Sequence, residues 1–492
     1  MRPWTFPVSL DPGSAEPLFL QIARRIAADI GRGRLRPGAV LPGSRTLAKT
    51  LGVHRNTVLA AYDELEAEGW LSSAERSTRV SAALPPRPRG VAAPRGELGY
   101  DLPARPAWRT FAPDPARRGV LHFGAGLPDL RLAPADELAR AYRAAARAGG
   151  RTALGYSDPR GDVHLRRALA SLLRETRGLA CDEDHLLVTA GSQGAIDLVA
   201  RRLLGPGDAV AVEDPGYPPA WDALASTGAE LLPVGVDGDG LRVDALEALA
   251  ARRRVRLLYL TPHHQFPTTV TLSTARRLQL LDVARARRIA VLEDDYDFEF
   301  HYDGRPVLPL AATDMGAVIY VGTLSKILAP GLRLGWVAGP RPLVEALAAQ
   351  RMRADRHGSP ALERAVAALI EDGLLSRHAR KMRRVYEARR NALAEALRAE
   401  LGGAAELAVP AGGMSLWVSF PEGVDAEVAA RAAPRHGVGF YPGARFSFRG
   451  GEARAARLGF ASLDERELRE ATRRLCAALR ARPDIQRGRT TL

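Results

Sequence analysis

Gly322-Thr323-Leu324-Ser325-Lys326 follows the apolar run Ala317-Val318-Ile319-Tyr320-Val321, and Gly331-Leu332-Arg333-Leu334-Gly335 comes soon after. The run is short, apolar and rich in β-branched residues, the signature of a buried strand. Lys326 therefore stands just past a strand end, where open α/β sheets bind their ligands. Lysine is scarce: the chain has 70 basic residues, and only Lys49, Lys326 and Lys381 are lysines. A solvated surface lysine is the bland alternative for Lys326, and the Gly-Leu-Arg-Leu-Gly segment beside it argues against that.

Working outward, similar runs at Leu186–Thr189, Ala209–Val212, Arg256–Leu260 and Ile289–Leu292 alternate with amphipathic stretches such as Ser192–Leu204. That rhythm predicts an α/β sheet. In Val188-Thr189-Ala190-Gly191-Ser192-Gln193-Gly194 a strand gives way to a helix N-terminus, whose free N–H groups and dipole favour an anion. Leu292-Glu293-Asp294-Asp295-Tyr296 ends another strand and puts an acid and a phenol near the lysine. Beyond about Pro340 come long helices and then strand-like segments, Met414–Phe420 and Arg457–Phe460, as in a smaller α+β lobe.

The N-terminal part reads differently. Leu18, Ile22, Ile26 and Ile30 fall at helical spacing between Pro17 and Gly31. Ser44 is placed to cap a helix over Arg45–Leu51, Gly52 breaks it, and Val58, Leu59, Tyr62 and Leu65 mark a second helix over 56–68. Two helices joined by a tight turn make a helix-turn-helix, and 69–80 completes it as a hairpin wing. Residues 81–118 are rich in Pro, Gly, Ala and Arg without either period and read as a linker. The domain expectation is a winged helix over 1–82, a Pro/Arg-rich linker over 83–118, and a body over 119–482 with a large lobe at about 150–345 and a small lobe at about 346–482.

Composition narrows the function classes. The net charge of +14 favours polyanions, so nucleic acid is a candidate partner. No apolar run approaches the roughly 18 residues of a membrane helix, and the first residues lack a signal-type core; a cytoplasmic protein without membrane partner is expected. The two cysteines, Cys181 and Cys476, are far apart and sit in no ligand-type spacing, so neither a disulfide framework nor a metal site is expected.

Thr323-Leu324-Ser325-Lys326 followed by Gly331-Leu332-Arg333-Leu334-Gly335 resembles the Schiff-base segment of fold-type I pyridoxal-phosphate (PLP) enzymes, the class I aminotransferases. In order along the chain, winged helix, linker and aminotransferase-like body resemble the MocR subfamily of GntR transcriptional regulators. The resemblance rests on Leu41-Pro42-Gly43-Ser44-Arg45, Leu51-Gly52-Val53-His54-Arg55-Asn56-Thr57, Glu213-Asp214-Pro215-Gly216-Tyr217-Pro218, Thr261-Pro262-His263-His264-Gln265-Phe266-Pro267 and Glu293-Asp294-Asp295-Tyr296-Asp297.

The resemblance implies a fold-type I body binding PLP, with Lys326 as the Schiff-base lysine, Asp294 pairing with the pyridinium nitrogen and Tyr296 bonding the phenolic oxygen. It implies further cofactor contacts from Gly191, Ser192, Gln193, Tyr217 and Thr323, with Ser325 and Arg333 completing a phosphate clamp. Tyr156 resembles the tyrosine that reaches the phosphate of the neighbouring subunit in a homodimer, and Arg457 the arginine that holds a substrate or effector carboxylate. Helix-turn-helix docking makes Arg55, Asn56 and Thr57 base-edge candidates and Ser44, Arg45 and Lys49 backbone candidates on double-stranded DNA.

Departures from the family are specific. The wing, Ser72 to Val80, lacks the usual Gly-rich tip, and His54 replaces the usual capping Ser/Thr, predicting a weaker cap. Phe266 stands where an asparagine is usual, Thr269 where glycine is, and Pro219 where GABA-responsive members carry an arginine, which disfavours GABA as effector. The reading is a PLP-dependent transcriptional regulator that senses PLP or an amino compound through aldimine exchange at Lys326. The alternative is a working aminotransferase carrying a DNA-binding domain.

Overall fold

The computed structural model describes residues 10–14, 16–74, 77–84, 119–124, 126–304, 307–402, 405–448, 450 and 454–480. The chain divides into two compact units, Met1–Pro106 and Ala107–Leu492. The linker from 85 to 118, the wing tip at Glu75 and Arg76, and the body's expected end at 482 lie outside the described residues.

In the first unit, helix α1 (Leu18–Gly31) packs Ile22, Ile26 and Ile30 against Val58, Ala61, Tyr62 and Leu65 of α3 (Arg55–Ala67), with Leu47 of α2 (Ser44–Leu51) in the same core. Strands β1 (Leu71–Ala74) and β2 (Ser77–Val80) pair antiparallel as the wing, and Leu71 and Val80 close the core beneath them. One expectation needs correction. Ser44 is the first residue inside α2; Gly43 is its N-cap and makes no side-chain bond. The Ser44 hydroxyl accepts instead from Arg55 Nε at 3.3 Å, tying the starts of α2 and α3 together. His54 does cap α3, since its Nδ1 accepts from the Asn56 N–H at 3.3 Å. A ring nitrogen thus does the work of the missing hydroxyl.

The second unit opens with β3 (Leu121–His122) and then builds a large sheet from β4 (Leu186–Thr189), β5 (Ala209–Asp214), β6 (Glu230–Asp237), β7 (Gly240–Leu241), β8 (Val255–Leu260), β9 (Ala290–Asp295), β10 (Val318–Thr323) and β11 (Gly335–Ala338). Their order is β4-β11-β10-β9-β8-β5-β6-β7. The run β10, β9, β8, β5, β6 is parallel, while β11 lies antiparallel between β4 and β10. Such strands are covered on both faces, so their middles read as near-continuous apolar runs. Along β10, Val318 and Tyr320 join the core on one face, Ile319 and Val321 that on the other.

A smaller antiparallel sheet of β12 (Glu406–Leu407), β13 (Ser415–Ser419), β15 (Tyr441–Pro442) and β16 (Ala455–Gly459) carries helices Leu374–Leu401 and Glu465–Arg480. β14 (Val438–Gly439) pairs in parallel with β3, so the start of the body belongs to this lobe. The large-sheet core also continues past residue 345: Val366 and Ala367 of helix Pro360–Glu371 and Leu375 belong to it, so a small lobe beginning at about 346 starts too early. Among the described residues no helix is long and apolar enough to cross a membrane.

Candidate functional site

The C-terminal ends of β4, β8, β9 and β10 converge on a cavity of about 370 Å³. Its lining includes Ser192, Gln193, Tyr217, Asp294, Tyr296, Thr323, Ser325, Lys326 and Arg333, nine residues singled out from sequence. The same lining contains Leu127, Tyr259, Thr261, Phe266 and Tyr441. Among these, the sequence marks Phe266 only as a departure from the family.

Lys326 is held by the loop after β10, and its Nζ donates to the Gly126 carbonyl at 2.9 Å. Burial, reinforced by the Arg457 guanidinium, lowers its pKa to about 8 against the pull of Asp297 and Asp294. A larger share of neutral amine at physiological pH makes it a better nucleophile than a solvated lysine. Asp294, at the end of β9, is 3 % exposed. Tyr259 OH, one strand over on β8, donates to its Oδ2 at 2.8 Å, while Oδ1 has no partner. Burial raises this carboxyl to about 6, the Tyr259 bond and Lys326 opposing the rise. A buried carboxylate oxygen left without a donor is costly; here it marks a place for a cationic or N–H-bearing ligand atom.

Opposite lies an anion cradle. Helix α4 (Gly191–Leu203) presents its N-terminal N–H groups. Gly191 has φ +75°, and a Cβ there would fall 2.9 Å from Arg333 Nη2. Arg333 Nη2 donates to the Ala190 carbonyl at 2.6 Å, holding the guanidinium over the helix end. Thr323 and Ser325 exchange a hydroxyl bond of 3.0 Å beside it. Gln193 Nε2 donates to the Pro219 carbonyl at 2.8 Å.

The aromatic side of the cavity is stitched by buried Glu213, whose Oε2 accepts from Thr261 N–H at 2.9 Å and Thr261 Oγ1 at 2.8 Å. Thr261 Oγ1 in turn accepts from Phe266 N–H at 2.8 Å, fixing Phe266 edge-on to Tyr217 with ring centroids 4.9 Å apart. Tyr296 OH donates to the His264 carbonyl at 2.8 Å.

Three expected residues, Gly191, Arg457 and Tyr156, are not part of that lining, although Arg457 packs directly against it. Arg457 is buried, with Nη1 donating to the Pro267 carbonyl at 2.8 Å and its guanidinium 4.2 Å from the Phe266 ring centroid. Tyr156 is 83 % exposed and packs edge-on to His357, with Arg356 5.0 Å over its ring. The fold also gathers His263, His264 and His301, which no local spacing announces.

In the first unit, Arg45 and Lys49 on α2 and Arg55 and Asn56 at the start of α3 are exposed, with Thr57 half-buried. A helix N-terminus with Arg, Asn and Thr, preceded by a second helix with exposed cations, is the arrangement that reads a major groove and grips its phosphates.

Residues 18–80 match the family described as bacterial regulatory proteins, gntR family, and 118–475 match aminotransferase class I and II. The chain is 33% identical over 481 residues to the probable rhizopine catabolism regulatory protein MocR of Rhizobium meliloti, covering 96% of both. It is 34% identical over 498 residues to the HTH-type transcriptional regulator TauR of Rhodobacter capsulatus, covering 96% of this chain and 98% of that one. The solved structure of LysN, the alpha-aminoadipate aminotransferase of Thermus thermophilus complexed with N-(5'-phosphopyridoxyl)-L-leucine, shares 33% identity and a TM-score of 0.69, covering 74% of this chain and 92% of that one. With a DNA-reading module and an aminotransferase-type body spanned together by such relatives, the chain belongs to the GntR family as a MocR-type DNA-binding transcriptional regulator, a winged helix-turn-helix joined to a fold-type I aminotransferase domain.

Proposed function

We propose that the body holds pyridoxal 5'-phosphate in the cavity around Lys326 and uses it to sense PLP itself or an amino compound, altering the affinity of the winged helix for its operator. The observation that carries this reading is the unpartnered Oδ1 of buried Asp294 in the same cavity as the Lys326 amine, with Arg333 clamped over the N-terminus of α4. A ring nitrogen, an aldehyde and a phosphate are the groups these positions would accept. When bound, PLP supplies an aldehyde that condenses reversibly with primary amines.

Lys326 would hold that aldehyde, and Asp294 would keep the ring nitrogen protonated. Tyr296 would face the phenolic oxygen, with Tyr217 beside the ring. Gly191, Ser192, Gln193, Thr323, Ser325 and Arg333 would surround the phosphate. Arg457 would take an effector carboxylate once released from the Pro267 carbonyl. Tyr156 would serve the phosphate of a neighbouring subunit, which makes the working form a homodimer; a cytoplasmic location fits a DNA-bound role. An effector changes operator binding only through unequal affinity for two arrangements of the protein.

The second reading, a working aminotransferase, draws on the Lys326, Asp294 and Tyr296 set around one cavity. Phe266, packed between Tyr217 and Phe446, offers no hydrogen bond where an asparagine is usual. Turnover also demands a tightly fixed ring. The test is to load the full chain with PLP, reduce with borohydride and map the modified peptide. We expect a single adduct on Lys326 and none in Lys326→Ala; an adduct on Lys49 or Lys381, or a chain that takes up no PLP, overturns the reading.

A further inference from the structure

We propose that His263, His264 and His301 form a binding site for a divalent first-row transition cation of the imidazole-binding class, such as Zn²⁺. His263 and His264 lie in the loop after β8, and His301 in the loop after β9. Each offers one imidazole nitrogen, and these atoms all lie within 4.8 Å of one another. His263 and His264 are 4 % and 1 % exposed, and His301 is half-buried.

Their nitrogens are the second observation. Both nitrogens of His263, Nε2 of His264 and Nδ1 of His301 are buried without a hydrogen-bond partner. A buried polar group without a partner is costly, so a cluster of them needs an explanation, and a cation among them supplies one. His264 Nδ1 lies 2.7 Å from Asp297 Oδ1. With Nδ1 turned to that carboxylate, Nε2 is the nitrogen placed to face a metal, the arrangement found behind metal-bound histidines.

Three imidazoles favour zinc, copper, nickel or cobalt over magnesium or calcium, which prefer oxygen. Tetrahedral coordination at about 2.0–2.1 Å per nitrogen sets ligand atoms about 3.3 Å apart, so the rings must draw together by up to about 1.5 Å. His301, half-buried, is the least enclosed of the three, and its backbone bridges Gly412. A cavity of about 210 Å³ beside it, lined also by Phe298, Glu299, Thr176 and Ser376, gives a hydrated ion a way in and a fourth position for water. Arg177 also lines that cavity, and Glu299 pairs with it.

None of the three histidines lines the cavity around Lys326, so the proposal stands independently of PLP binding. The two sites are nonetheless joined, because the His264 carbonyl is the acceptor for Tyr296 OH.

The experiment uses the untagged full chain, stripped with chelator and titrated with Zn²⁺ against a chromophoric competitor, with Co²⁺ as a spectroscopic probe. We expect one equivalent bound with a dissociation constant below about 10 µM, or about −7 kcal/mol, and a tetrahedral Co²⁺ spectrum. His301→Ala and His263→Phe, which keeps a ring against Phe298, should each weaken binding by about tenfold or more and lose that spectrum. Binding weaker than that limit, or a smaller effect from either substitution in a folded protein, overturns the proposal.

Discussion

Replacing Gly191 with alanine tests the anion cradle without touching a charged group. The new Cβ would lie 2.9 Å from Arg333 Nη2 and 3.0 Å from its Cζ and Nη1, at a backbone φ of +75°. Non-bonded atoms of this kind rest about 3.5–4.0 Å apart, so the guanidinium must retreat by roughly 0.5–1 Å. The left-handed backbone adds about 1–2 kcal/mol of strain for a residue with a Cβ. A hydrogen bond from arginine to an anion is worth about 1.5–3 kcal/mol. Losing one of them costs about 2 kcal/mol, or roughly 30-fold in affinity at 1.4 kcal/mol per decade. The assay is equilibrium titration of stripped wild type and Gly191→Ala with PLP and, separately, with pyridoxal, which lacks the phosphate. PLP should bind roughly 30-fold more weakly to the variant and pyridoxal nearly unchanged. A loss for PLP under about threefold, or an equal loss for pyridoxal, would refute the phosphate assignment.

Other consequences are as specific. Arg55→Ala should relax sequence preference and cost about 1–3 kcal/mol of operator binding, whereas Lys49→Ala should weaken all sequences alike and lower the salt slope by about one; both are read by binding isotherms at several salt concentrations. Thr269 is β-branched at φ +65°, so Thr269→Gly should raise the stability of the body by about 1 kcal/mol once the glycine's extra unfolded-state freedom is counted, as measured by denaturant unfolding. With Lys326 near pKa 8, its neutral fraction climbs about tenfold from pH 7 to pH 9 and then levels. The rate of PLP capture by the stripped chain should follow that curve; a hundredfold, unlevelled rise would mean an ordinary lysine. The same shift has a stability sign. Folded Lys326 binds its proton less readily than the unfolded chain does, so its burial cost is full below about pH 8 and fades as pH rises toward 10.5.

Much of the site was legible because its parts come in local words. Lys326, Ser325 and Thr323 share one strand end, Asp294 and Tyr296 another, and Ser192 and Gln193 one helix start. Tyr259 and Gly126 were not legible: each reaches its partner across the fold, Tyr259 to Asp294 from the neighbouring strand and Gly126 to Lys326 from the small lobe's first loop. The histidine cluster escaped for the same reason, since His301 arrives from a different strand end. In the winged helix the periodicity of apolar residues placed α1 and α3, and the punctuation by Ser44 and Gly52 placed α2. The roles of Ser44 and His54 depended on which side chain met which N–H, and spacing does not specify that. The strand ends were read short for a related reason: polar Glu293, Asp294 and Asp295 stay in β9 because the fold buries them.

The central claim is that one cavity governs DNA binding, and its direct measurement is operator affinity at fixed salt. The full chain should be compared stripped, loaded with PLP, and loaded with PLP plus each candidate amino compound, on an operator fragment chosen by binding selection. The account predicts that at least one of these loadings shifts the operator dissociation constant by about fivefold or more, the range of an ordinary allosteric coupling, and that Lys326→Ala abolishes the shift. Equal operator affinity in every loading state, with sustained amino-group turnover in the same samples, would contradict it.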